Sequence, residues 1–303
     1  MNAMNNQNKL IVVNEATAKQ GIVTAKSLVD DGWTVRALTH DMDHTVAKLL
    51  KKRGIEVVEI DPNNRSSLDK ALVGAYGVYY VSSVEETELE VMQGKLMADA
   101  ARAAGVQHFI YNSAGGVDRE TGIPQLAGKW QVEQYLCSSD MPVTILRPAM
   151  LMESVASAGL SNLLMISALS TMVRAEKTIQ LISIEDIACF AAIAFSQPEQ
   201  FVGRTMELAG DAVTLSRITR IRRRVQGARL ISLRMPSLLL RRLPVEVTAL
   251  AEWLDREGYQ ADIADLRQIH PGLMTFERWL NHRETKAQFK QYDPEPSYVA
   301  RSV

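Results

Sequence analysis

Glu15, Ala18 and Gly21 stand at the three glycine positions of a G-x-x-G-x-x-G spacing, within the turn Asn14-Glu15-Ala16-Thr17-Ala18-Lys19-Gln20-Gly21. With all glycines present, such a turn cradles the pyrophosphate of a dinucleotide. The first glycine permits the tight bend and the second lets backbone approach phosphate. Here Ala18 restores a methyl group at the point of approach, and Glu15 adds a carboxylate. Unit charges ~4 Å apart repel by roughly 4 kcal/mol at an effective dielectric of 20. A helix N-terminus returns only about 0.3–1 kcal/mol. The turn therefore reads as a degenerate dinucleotide site, and no dinucleotide cofactor is expected. The Glu15 carboxylate suits two other tasks: lying over the start of the following helix in place of a phosphate, or acting as a general base.

The elements that hold this turn are legible around it. Leu10 to Val13 is a short β-branched apolar run, as in a buried parallel strand. Ile22, Val23, Ala25, Leu28 and Val29 recur at helical spacing between Ala18 and Asp31, and Trp33 to Leu38 reads as a second strand. The alternation continues with strands at Ile55–Glu59, Gly77–Val81, His108–Asn112 and Val143–Leu146. Helices fall between them, from Ser66 to Leu72, Glu86 to Ala104 and Gln125 to Leu136. Such alternation predicts an α/β fold, a Rossmann-like doubly wound parallel sheet with ligands at the carboxyl ends of its strands.

Beyond Pro148 the pattern changes. Residues 151–176 are apolar and rich in Ser, Ala and Met; Thr178–Ile182 and Thr205–Leu208 read as strands, and Glu185 to Phe195 as a helix. Further helices are expected from Leu215 to Val225, Pro244 to Glu257, Ile263 to Ile269 and Phe276 to Asn281. The expected organisation is a Rossmann-like domain over 9–150, with 178–200 returning to it. A smaller discontinuous α/β substrate domain follows from 151–177 and 201–290, with a flexible tail at 291–303.

Composition excludes several classes. The 303 residues carry a net charge of −1, so no global field favours nucleic acid or an anionic membrane. No run approaches the ~18 apolar residues of a membrane span, and residues 1–8 lack the charged-then-apolar order of a signal peptide. A cytoplasmic protein is expected. Cys137 and Cys189 are too few for a disulfide framework, and His40, His44, His108, His270 and His282 show no ligand spacing, so no metal is expected. The basic stretch Arg217, Arg220, Arg222, Arg223 and Arg224 has no interleaved aromatics and reads as a solvated helix face. Tyr79, Tyr80 and Tyr111 lie inside strands and read as core.

Across roughly residues 9–285 the chain resembles the NmrA-like proteins, atypical members of the short-chain dehydrogenase/reductase superfamily. The resemblance rests on Lys19-Gln20-Gly21, Arg36-Ala37-Leu38, Tyr111-Asn112-Ser113-Ala114-Gly115-Gly116 and Gly128-Lys129-Trp130. It continues through Thr144-Ile145-Leu146-Arg147-Pro148, Ile184-Glu185-Asp186-Ile187, Glu207-Leu208-Ala209-Gly210-Asp211 and His270-Pro271-Gly272-Leu273. The resemblance implies either NADPH-dependent reduction of small apolar substrates or redox sensing through a bound dinucleotide. It also implies that His40 occupies the place of the arginine that holds a 2′-phosphate, and that Ser113, Gln125 and Lys129 occupy the superfamily's Ser-Tyr-x-x-x-Lys positions. Glutamine hydrogen-bonds but relays no proton.

Candidate site residues are thus Lys129, Ser113, Glu15, Gln125 and Glu153, with Glu15, Ala18, Gly21 and His40 as the degenerate cofactor positions. Lys129 suits a base, an anion anchor or an ion pair, the last with Glu15 as one partner; Glu153 suits a pocket group or a surface salt bridge. The favoured expectation is a dinucleotide-independent enzyme doing non-redox chemistry, an isomerisation, cyclisation or elimination, on a small apolar molecule. A non-catalytic regulator with a protein partner or a homo-oligomer, and an NADP(H)-dependent reductase that tolerates the altered turn, are the alternatives.

Overall fold

The computed structural model describes residues 9–82, 84, 86–157, 160–227, 235–236, 240 and 242–285. The tail expected at 291–303 lies outside the described residues. The strands are β1 (Leu10–Val13), β2 (Thr34–Thr39), β3 (Glu56–Glu59), β4 (Ala75–Val81), β5 (His108–Asn112), β6 (Val143–Pro148), β7 (Met150–Leu151), β8 (Thr178–Ile182), β9 (Thr205–Leu208) and β10 (Asp211–Thr214). Seven of them form a parallel sheet in the order β3-β2-β1-β4-β5-β6-β9. Its direction of winding reverses between β1 and β4, where Ile11 pairs with Gly77 and Val13 with Tyr79. A doubly wound sheet opens its ligand crevice at that switch point, beyond the carboxyl ends of the strands.

The first five helices are α1 (Lys19–Asp30), α2 (Thr45–Lys52), α3 (Arg65–Ala71), α4 (Thr87–Ala103) and α5 (Gln125–Cys137). They are followed by α6 (Met152–Ala156), α7 (Leu160–Met172), α8 (Ile184–Ser196), α9 (Pro198–Phe201) and α10 (Leu215–Gln226). The last are α11 (Val245–Arg256), α12 (Ile263–Ile269) and α13 (Phe276–Thr285). α1 and α8 pack together on one face of the sheet. Gly21, Thr24 and Ala25 on α1, with Ala188, Ala191 and Ala192 on α8, give that face small buried side chains. α3, α4 and α5 cover the other face through Leu68, Met97, Val132 and Leu136. Large buried aliphatic side chains of this kind contribute ~1.5–3 kcal/mol each. Asn64 caps α3 by accepting from the backbone of Ser66 and Ser67, as its place in the turn at 61–64 suggests.

A second, three-stranded sheet, ordered β10-β8-β7, anchors the smaller lobe. Its core gathers Trp253, Phe276, Trp279 and the buried faces of α7 and α10. Two strands lie elsewhere than the sequence places them. β9 joins the main sheet beside β6, with Leu146 opposite Met206, whereas β8 pairs with β10 in the small sheet. Both are short runs that alternate polar and apolar residues, Thr-Ile-Gln-Leu-Ile and Thr-Met-Glu-Leu, and nothing local distinguishes their partners. β7, α9 and β10 have only two to four residues each, too few to show a period. Tyr79, Tyr80 and Tyr111 are core residues, at most 3% exposed.

Candidate functional site

The turn after β1 is fastened to both neighbouring strands. The Asn14 amide donates to Val81 O at 2.8 Å and its carbonyl accepts from Val81 N at 2.7 Å, tying β1 to β4. Ala16 N donates to Leu38 O at 3.0 Å, tying the turn to β2. Between them Glu15 takes φ +49°, the one non-glycine residue with positive φ among those described. An L side chain pays roughly 1–2 kcal/mol for this left-handed conformation, so the bend of a glycine persists without the glycine. Gly21 is required by close approach, since a Cβ there would lie 2.1 Å from Glu15 O and 2.8 Å from Ala16 Cα.

Glu15 does not stand in for a phosphate at the helix start. Among the described residues no backbone N–H of the first turn of α1 donates to the Glu15 carboxylate, and the N-cap, Ala18, has no polar side chain. Glu15 instead lines a cleft over the ends of β1, β2 and β4, shared with Leu38, Thr39, His40, Tyr80 and Val81. Its cavity volume is about 20 Å3. His40 is exposed at this cleft. Burial, and then the nearby Glu90 and Glu15 carboxylates, push the Tyr80 phenol far up from its ordinary range.

A second group of polar side chains lies at the ends of β5 and α5. Ser113 is 7% exposed, and its Oγ is buried without a hydrogen-bond partner among the described residues. The same holds for Gln125 Oε1 and Asn112 Oδ1. Asn112 Nδ2 donates to Gln20 Oε1 in the first turn of α1, bridging the two regions. Gln125 and Lys129 are one helical turn apart and share a face.

Lys129 pairs with Glu90 of α4 rather than with Glu15: Nζ donates to Oε1 at 2.6 Å, and Glu90 is 2% exposed. Gly128 makes the room, because a Cβ there would lie 2.6 Å from Glu90 Oε2. Glu90 is a residue that sequence reasoning missed. It sits in a charged helix start that looks solvated, and only packing of α4 against α5 shows its role.

Glu153 is half-buried, with its Oε2 out of reach of solvent. Its Oε1 accepts from Ile184 N at 3.1 Å, at the start of α8, and Oε2 has no partner among the described residues. Burial pushes its carboxyl up to about 7. Among the described residues no hydrogen bond or ion pair joins it to Ser113 or Lys129; it ties α6 to the start of α8. Asp186, two residues into the same helix, is 1% exposed and accepts from Ser183 Oγ at 2.6 Å. It also contacts His270 Nε2 at 3.1 Å, and this hydrogen bond, then Cys189, raises His270 to about 9.

Two other motifs serve packing. Gly115 and Gly116 lie against rings, with a Cβ on either falling 2.7 Å from Tyr259 or 2.6 Å from Trp253. The arginine stretch on α10 is not wholly solvated. Arg222 is 3% exposed and donates to Ala156 O and Ser157 O, closing the end of α6, while Arg224 pairs with Glu277. Helix spacing puts Arg222 on the same side as the buried Leu215 and Ile218, which the charge pattern conceals. Among the described residues no three His, Cys, Asp or Glu side chains converge as a metal site, and no helix is long and apolar enough to cross a membrane.

A parallel doubly wound sheet, a crevice at its switch point and a smaller lobe beside it define a Rossmann-like protein. The chain belongs to the NmrA-like family, whose profile matches residues 7–280. Among sequence relatives is the NmrA-like family domain-containing oxidoreductase FrzB from Cladobotryum sp, 30% identical over 161 residues, 48% of this chain and 47% of that protein. The match thus spans about half the length of such curated relatives.

Among solved structures, triphenylmethane reductase from Citrobacter sp., complexed with NADP(H), aligns with TM-score 0.74 at 20% identity, covering 91% of this chain and 99% of that one. NmrA, a negative transcriptional regulator solved with NADP, aligns with TM-score 0.71 at 17% identity, over 91% and 95%. At such identities the likeness is one of fold.

Proposed function

We propose that this protein is a dinucleotide-binding oxidoreductase that acts on a small, largely apolar molecule in the cleft beside the main sheet. The observation that carries this reading is the start of α1: it follows the turn after β1, it is fixed by Gly21, and its N-cap, Ala18, has no polar side chain to cap it. Uncapped first-turn N–H groups at that place suit an anion. Had Glu15 lain across them, the dinucleotide-independent reading would have been the stronger. The solved neighbours that bind NADP, and the relatives described as oxidoreductases, support the same choice.

The residues fit the pyrophosphate half better than a 2′-phosphorylated ribose. α1 would hold the pyrophosphate, with Ala18 narrowing the approach by one methyl group. The bound nicotinamide would supply hydride transfer. Ser113 Oγ, beside the Tyr111 hydroxyl at the carboxyl end of β5, is a donor suited to holding a substrate oxygen. Gln125 orients the substrate through its amide and moves no proton. Lys129 is held by Glu90, so its charge is balanced and it stiffens α5 against α4. A proton needed on the substrate must therefore come from water or a group other than Gln125.

A second reading, non-redox chemistry without dinucleotide, is favoured by the Glu15 carboxylate and the Ala18 methyl at the turn. Calorimetric titration with NADH and NADPH separates the two. Micromolar binding of either supports the oxidoreductase, and no binding tighter than about millimolar, the weak end of specific affinities, refutes it. Stopped-flow oxidation of the bound reduced cofactor by quinones and apolar carbonyl compounds then tests the chemistry.

A further inference from the structure

We infer that Glu15 makes the adenosine end of this cleft selective for a nucleotide with free ribose hydroxyls, NAD(H) rather than NADP(H). The inference rests on the dinucleotide reading above and specifies its cofactor. Among the described residues lining the cleft, Glu15 supplies the sole carboxylate, and none is lysine or arginine. The end of β2, where an acid commonly meets the ribose or an arginine meets its 2′-phosphate, holds Thr39 and His40. Thr39 Oγ1 is engaged with Asp41, at 3.0 Å to its carbonyl and 3.1 Å from its N–H.

Two other polar side chains of the wall are likewise committed, whereas Ser82 Oγ accepts from Val84 N at 3.3 Å and keeps its own proton free to donate. The Asn14 amide spans Val81 on both sides, and Gln93 Nε2 donates to Asn63 Oδ1 at 2.9 Å. Arg36, the nearest guanidinium along β2, is turned away. Its Nη1 donates to Ala71 O and Val73 O at 2.8 and 2.9 Å, and its Nε pairs with Glu56 at 2.9 Å.

A carboxylate only accepts hydrogen bonds, and a ribose diol donates them. A 2′-phosphate brings acceptors alone and about −1.5 to −2 charges, as other phosphate monoesters do. Facing Glu15 it meets repulsion, with His40 and the Ser82 hydroxyl as the compensating groups on the wall. Glu15 lines this cleft, and its carboxylate lies close enough to the Tyr80 phenol to push it up. The acid that reads the ribose has in effect moved from the end of the second strand to the turn after the first.

The test is calorimetric titration of the full chain with NADH and NADPH, on the wild type, Glu15→Gln, and Glu15→Gln combined with His40→Arg. Thermal melts confirm that each variant folds. The wild type is expected to bind NADH about tenfold or more tighter than NADPH, a modest share of what one unscreened like-charge contact supplies. Glu15→Gln should close most of that gap by tightening NADPH, and the double variant should reverse it. Equal or tighter NADPH binding by the wild type, or an unchanged ratio in Glu15→Gln, overturns this inference and leaves the oxidoreductase reading standing. No binding of either cofactor overturns both.

Discussion

Replacing Gly21 by alanine tests whether the turn after β1 is held by close packing. The added Cβ would lie 2.1 Å from Glu15 O, 2.6 Å from Glu15 C and 2.8 Å from Ala16 Cα, all backbone atoms. Relief requires α1 and the turn to separate by roughly 1 Å, since Cβ contacts below ~3 Å do not persist. The turn cannot yield freely. Glu15 O already accepts from Ala18 N at 2.9 Å, and Ala16 N donates to Leu38 O at 3.0 Å. Overpacking costs about 1–3 kcal/mol, and weakening one of these bonds adds about 1, so the expected loss is about 3 kcal/mol. For a chain of this size that lowers the melting temperature by about 5–10 °C. Urea denaturation followed by circular dichroism measures it, with Gly54→Ala as the control. Gly54 has φ +78° and open space where a Cβ would sit, so it costs only backbone strain, about 1 kcal/mol. A Gly21→Ala protein as stable as the control would refute the packing argument.

Other outcomes follow from single contacts. Lys129→Met leaves the Glu90 carboxylate, 2% exposed, without its cation; a loss of about 3–5 kcal/mol is expected, largely recovered when Glu90→Leu is added, and additive losses in that double-mutant cycle would argue against the pair. Glu153→Gln is read from pH. The folded carboxyl sits near 7, above its unfolded value of 4.5, so wild-type stability falls as pH rises from about 4.5 through 7. The variant should flatten that slope and be more stable by up to about 3 kcal/mol above pH 7, whereas parallel curves would show that the Glu153 carboxyl is open to solvent. His270 has the opposite sign. Its folded value near 9 exceeds the unfolded 6.5, so its contribution is complete below 6.5 and lost as pH rises through 9. Chemical denaturation of His270→Gln should therefore show its deficit at pH 6 and none near pH 10; a deficit independent of pH would exclude the ion pair with Asp186.

Much of the architecture was legible before any coordinates. β5, β8, β9 and α12 have the ends that pattern alone suggests, at His108–Asn112, Thr178–Ile182, Thr205–Leu208 and Ile263–Ile269. The reason is local: alternation of β-branched runs with helical spacing, punctuated by Gly105 at φ +70° and by the Asn64 cap, is written in neighbouring residues. The odd turn was visible for the same reason, since a missing glycine is a fact about one position.

What tertiary structure decided is which distant groups meet. Lys129 and Glu90 are 39 positions apart, Glu153 and Ile184 31, and Asp186 and His270 84. No period or spacing relates such pairs, so charges that look solvated in the chain turn out to be buried and matched. The exchange of β8 and β9 between sheets has the same origin, because a four- or five-residue alternating strand specifies a buried face and not the edge it joins. The place of Glu15 completes the point. Its residue type announces a conflict with phosphate, but only the folded turn, bonded to β2 and β4, shows that Glu15 lines the cleft.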